Sequence, residues 1–211
     1  MAPLRAWHLS LAFACLCLAS PLRAADDSAT SLAAAARAEC EAGRRAPGHD
    51  VRKDHFTRGQ MLAERAVALD DNNAEAHFSL FCNLGEIMRL DGENLSQVFL
   101  LNRLMGELDR TLQLDPNHVD AMAAKGTLLV RLPRLLGGDT AKGETILRTV
   151  IQRDPNAVTS RLALANVCDA RGERDEALAF ATRALQIARE QGRADKVAEA
   201  QATLAQLRAT R

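Results

Sequence analysis

The residues that could do chemistry are few, and their spacing decides against most of what they could do. Gly138-Asp-Thr-Ala-Lys-Gly-Glu144 has the outline of a phosphate-binding loop. In a true phosphate loop a strand leads in and the Lys follows the second Gly. Here Lys142 precedes Gly143, Glu144 stands where the Lys belongs, and helix-forming sequence leads in. Asp139 instead reads as the N-cap of a helix, with Gly137 and Gly138 permitting the turn. His49, Asp50, Asp54 and His55 form the one cluster with metal-ligand residue types. They lack the His-x-x-x-His or Cys spacing of a metal site and span a helix start, where Asp is a usual cap. His77 is read as a packing residue and His118 as part of a turn. No Gly-x-Ser-x-Gly elbow or supported Cys–His pair supplies a nucleophile. These patterns predict no enzyme, no cofactor and no metal.

The cysteines point the same way. Cys15 and Cys17 lie in the first apolar stretch, and Cys40, Cys82 and Cys168 are far apart, without a Cys-x-x-Cys. The spacing predicts no disulfide framework, and Cys82 and Cys168 read as small hydrophobes within apolar helical runs.

What, then, must be positioned, and by what? Lys plus Arg and Asp plus Glu number 27 each in 211 residues, so no strong field selects nucleic acid. Ala and Leu dominate and aromatic residues make up 3%, which favours helices over sheets. Arg5, the apolar run Leu9–Ala19, Pro21 and the small residues Ala24 and Ala25 read as a secretory signal peptide, residues 1–25. The run falls short of a membrane span, so no transmembrane segment is expected in the mature chain. Lipidation at Cys15 is disfavoured because Ala12-Phe13-Ala14 matches a lipoprotein box poorly. Removing residues 1–25 takes away Arg5 and Arg23 and leaves a net charge of about −2. The expected location is periplasmic or secreted.

One phrase recurs. Ala66-Val-Ala-Leu-Asp-Asp-Asn-Asn-Ala74, Thr111-Leu-Gln-Leu-Asp-Pro-Asn-His-Val119 and Val150-Ile-Gln-Arg-Asp-Pro-Asn-Ala-Val158 each end one helix, turn, and open another. Pro cannot continue the first helix but suits the start of the next, and Asn and Asp tolerate the turn and cap free amides. Helix pairs are predicted at about 31–42 with 51–69, 74–90 with 95–114, within 119–157, and within 158–190. Residues 194–207 follow as an amphipathic cap through Val197, Leu204 and Leu207.

These residues resemble the tetratricopeptide-repeat (TPR) pattern of about 34 residues. Residues 158–190 match it best: Leu164 and Ala165 stand at the Leu-Gly positions, Gly172 at the turn, Ala177 and Ala184 at the close-packing sites, with Pro155 just before. Arg161, Cys168 and Ala181 replace the usual Trp, Tyr and Phe. Pro155 follows Pro116 by 39 residues, and the extra length falls at Leu132–Asp139. Leu-Asp-Pro-Asn-His and Leu-Pro-x-x-x-Gly-Gly-Asp resemble a narrower group of bacterial periplasmic TPR proteins, with the TRAP-transporter-associated T component and the regulators of microtubule dynamics.

The resemblance implies an all-α, right-handed α-solenoid of TPR-like hairpins over residues 26–192, with a C-terminal capping helix over 193–211. It also implies a concave groove built from each pair's first helix. Mapped onto this sequence, that groove holds Glu75, Phe78, Cys82, Gly85 and Glu86, then Asp120, Ala123, Thr127, Val130 and Arg131, then Thr159, Leu162, Asn166, Asp169 and Ala170. Only Asn166 and Arg131 could serve a carboxylate clamp, so the family's chaperone-tail binding is disfavoured. The implied function is a scaffold for a protein or peptide, with a transporter or envelope assembly as one setting. A small-molecule carrier and a self-associating structural protein are the alternatives. The expected contact residues are Phe78, Arg131, Leu135, Leu136 and Asn166. For Leu135 and Leu136 two explanations stand: they seal the edge between repeats, or they project from the rim as a docking site.

Overall fold

The computed structural model describes residues 28–92 and 97–209. The signal segment, its cleavage points and the expected helix start at Leu95 lie outside them. Nine α-helices and one 3-10 turn run through the described residues, which contain no strand. The helices are α1 (Ala29–Arg45), α2 (His49–Leu69), α3 (Ala74–Asp91), α4 (Gln97–Leu114), α5 (Val119–Arg131), α6 (Thr140–Arg153), α7 (Val158–Ala170), α8 (Arg174–Glu190) and α9 (Ala194–Ala209). Successive helices pair as α1–α2, α3–α4, α5–α6 and α7–α8, with α9 laid against α8 and α7. This is an all-α solenoid.

The repeated phrase makes the same turn three times. Asp70 accepts a hydrogen bond from the Asn72 N–H at 3.0 Å, Asp115 from Asn117 at 2.9 Å, and Asp154 from Asn156 at 2.8 Å. The next helix is then capped from the phrase's end at α3, where Asn73 accepts from Ala76, and at α5, where the His118 ring accepts from Ala121. Asp139 caps α6 through the Lys142 N–H, as its position predicts. Gly172, at φ 78°, ends α7 in a conformation that a Cβ would disfavour.

Small residues set the crossings. A Cβ on Gly126 would come within 2.8 Å of Leu147 Cγ and 3.1 Å of the Gly143 carbonyl, so α5 and α6 meet almost backbone to backbone. Ala177, Ala181 and Ala184 are fully buried on α8. At the end of the stack Ala200, Leu204 and Leu207 of α9 close the cores formed with α7 and α8, and Val197 packs at their margin. A terminal hairpin would otherwise leave that apolar face in water.

Candidate functional site

The inner surface is built from α1, α3, α5 and α7, and its two halves differ. In the first half the groove is filled. Arg37 of α1 reaches Asp120 of α5 at 2.7 Å and Glu75 of α3 at 3.8 Å. Its guanidinium lies 4.6 Å from the centre of the Phe78 ring. His118 stacks obliquely on the same ring at 4.5 Å and meets Glu75 at 3.2 Å. Phe78 itself is 5% exposed and packs with Leu108 and Ala121. The residue expected to contact a partner is therefore a core residue under a cationic lid. Its aromatic bulk was legible, but the neighbours that cover it come from two other repeats.

The seam between α1 and α3 overturns a second expectation. Cys40 and Cys82 are joined by a disulfide, with Cα atoms 6.4 Å apart. Cys82 is thus neither a thiol packing as a hydrophobe nor a groove contact. Separation along the chain misled because the two cysteines face each other across stacked first helices. The register around them is consistent: Ser79 donates to the Ala33 carbonyl at 3.0 Å and Asn83 to that of Ala36 at 3.0 Å. One turn on, Arg44 donates to Glu86 at 2.7 Å. Glu86, expected in the groove, is 2% exposed and held in that pair. Aligning the caps Ser28 and Asn73 was the signal that could have found the bond, since it brings both cysteines to the third and fourth turns of adjacent helices. Leu162, also assigned to the groove, is buried against α8 and α9.

Cavities open at two places among the described residues. The larger, about 390 Å³, lies where Glu41, Arg44 and Arg45 of α1 approach Arg193 and Asp195 at the opposite end of the stack. Its charges are already matched: Arg44 with Glu41 at 2.8 Å, Arg45 with Glu41 at 3.7 Å, and Arg193 with Asp195 at 3.0 Å. The smaller, about 170 Å³, lies between the C-terminal ends of α5 and α7. Arg131, Thr140, Asn166 and Arg171 supply its polar groups over Val130 and Ala163. Arg171 is committed, holding Glu144 at 2.5 Å and Glu173 at 2.8 Å. Those hydrogen bonds raise its pKa, and the same bond from Arg171 is the largest cause holding the Glu144 carboxyl below its usual range, against the opposing effect of burial. Arg131 and Asn166 are exposed and make no side-chain hydrogen bond among the described residues. The structure therefore brings these two expected residues together, as free donors beside a small apolar floor.

Leu135 and Leu136 stand next to this cavity in sequence but do not line it. They lie in the 3-10 turn Arg134–Leu136 and are 95% and 41% exposed. The sealing explanation does not describe Leu135, while more than half of Leu136 is covered.

The candidate metal residues disperse. His55 pairs with Glu39 of α1 at 2.7 Å, while His49 and Asp50 meet each other at the exposed start of α2. His77 is buried as expected, and it also bridges α3 to α4 through Glu107 at 2.7 Å. A cluster not foreseen joins Cys168, Glu173 and Glu176, whose ligand atoms lie within 4.8 Å of one another. Arg171 and Arg148 already neutralise the two carboxylates, and burial pushes the Cys168 thiol up, keeping it protonated. This is a salt-bridge network over a buried thiol.

No protein-family model matches the sequence, and no curated protein matches it. Solved structures do. A thermophilic TPR protein of Thermus thermophilus, TTC0263, is 19% identical over 84% of this chain and 81% of its own, with a TM-score of 0.59. MamA is 17% identical over 77% and 92%, with a TM-score of 0.47. YrrB, described as a TPR protein with an unusual peptide-binding site, is 15% identical over 83% and 92%, with a TM-score of 0.38. The likeness to TTC0263, together with four stacked hairpins and a cap, makes this a chain with the tetratricopeptide-repeat fold.

Proposed function

We propose that the protein is an exported, non-catalytic scaffold that binds a protein or peptide segment along the second half of its inner surface. The observation that carries this reading is the pairing of Arg131 and Asn166, two uncommitted donors on consecutive first helices. An amide and a guanidinium so placed suit a carbonyl or carboxylate of an extended chain, with Val130 and Ala163 offering apolar contact. Arg37 and its partners fill the first half of the groove, which directs a ligand to this end.

Export is supported by the leader-type sequence and by the Cys40–Cys82 bond, since disulfides persist in oxidising compartments. A transporter or envelope assembly as the setting rests on the subgroup resemblance and belongs to the same proposal. The carrier alternative calls for an enclosed apolar cavity, typically about 300 Å³ or more. The larger cavity, which reaches that range, is lined mostly by charged groups.

A photoreactive residue placed at Asn166 in the source cell tests the reading. A cross-link to a second protein, lost when Arg131→Glu is added, is expected. A bound small molecule in native mass spectrometry, or cross-links only to another copy of this chain, would replace the scaffold reading with one of its alternatives.

A further inference from the structure

The segment between α5 and α6 is ordered in a way that keeps Leu135 in water. The Leu136 N–H donates to the Pro133 carbonyl at 2.9 Å, Gly137 to Arg134 at 3.1 Å, Gly138 to Pro133 at 3.0 Å, and Asp139 back to Leu129 at 2.9 Å. Gly137 takes φ 87°, and a Cβ on Gly138 would strike the Leu132 carbonyl, so the turn is locked against the end of α5. A turn this tightly bonded could have folded its apolar side chains inward. Instead it holds Leu135 at 95% exposure.

The charges around the tip are one-sided. Arg131, Arg134 and Lys142 have no carboxylate partner among the described residues. The one acid between them, Asp139, is spent capping α6. Glu144, the next acid, is held by Arg148 and Arg171.

We propose that this tip docks on an anionic lipid surface. Leu135 and Leu136 enter the interfacial layer, and Arg134 and Lys142 meet lipid phosphates. A protein partner would need a pocket shaped to this projecting tip. A bilayer yields to a convex tip and rewards exposed apolar side chains ringed by cations. Among the described residues no helix is long and apolar enough to cross a membrane. The inference is independent of the groove reading, because Arg134 and Lys142 do not line the cavity at Asn166.

The test places a single indole at the tip of the chain lacking residues 1–25 by Leu135→Trp, since Trp7, the one native Trp, leaves with the leader. Vesicles of phosphatidylcholine with about one-third phosphatidylglycerol should shift its emission to the blue and let brominated acyl chains quench it. Pure phosphatidylcholine should do neither. Arg134→Glu with Lys142→Glu should weaken partitioning about tenfold, as should raised salt. Leu135→Ser with Leu136→Ser should weaken it likewise while leaving the melting temperature unchanged. The proposal is overturned if anionic vesicles leave the indole unmoved, if neutral vesicles serve equally, or if the charge reversal has no effect. A fall in melting temperature in the serine variant would mean the leucines seal the fold. An acidic protein captured at the tip with no vesicle response would make it a protein interface.

Discussion

Removing the Cys40–Cys82 bond is the perturbation with the most to say, because it bears on both the fold and the compartment. The cross-link closes a loop of 42 residues and ties α1 to α3. On the chain-entropy model, releasing a loop of that length frees the unfolded chain by about 4 kcal/mol. Cys40→Ala with Cys82→Ala should therefore destabilise the N-terminal repeats by about that amount. For a chain of this size the midpoint should fall by roughly 8–16 °C. In a solenoid, where each repeat leans mainly on its neighbours, the loss should appear first as fraying of α1 and α2. Thermal melts by circular dichroism, with and without reductant, measure it. Intact mass after alkylation in denaturant, without reduction, checks the premise on protein from the source cell. A chain lacking residues 1–25 should take one label, on Cys168, and three only after reduction. Three labels without reductant would refute the bond, and a mass retaining residues 1–24 would refute the leader. Equal melting temperatures with the bond confirmed would refute the entropic magnitude.

Ala177 is fully buried among Ala165, Cys168, Leu204 and Leu207, so Ala177→Leu should overpack the last repeat and its cap by about 1–3 kcal/mol. An unchanged melting temperature would show that the helices do not cross closely there. Glu144 is held below its ordinary 4.5 by Arg171, so its stabilisation is present above that value and is lost as pH falls through the lower folded one. Glu144→Gln should cost about 1 kcal/mol at neutral pH. Melts across pH should converge with the parent in acid, and a difference that persists there would exclude the carboxylate as its source.

What the sequence determined by itself is what local chemistry controls. Each Asp-x-Asn phrase carries its own turn, because a carboxylate two residues ahead of an amide bonds to it whatever surrounds it. Asp139 as a cap was legible for the same reason, while Gly172 as a turn and Ala177 and Ala184 as crossing points were implied by the repeat resemblance, and the capping role of Leu204 and Leu207 by their helical spacing. The tertiary structure decided what depends on how far one repeat rotates over the next. That rotation brings Cys40 to Cys82 and lays Arg37 across Phe78 to Asp120, converting expected groove residues into core. It also sets Arg131 beside Asn166, residues that the family pattern names one repeat at a time. The exposure of Leu135 belongs to the same class: an apolar side chain carries no mark of which way a turn will face, and here Gly137 and the carbonyls of Pro133 and Leu132 turn it outward.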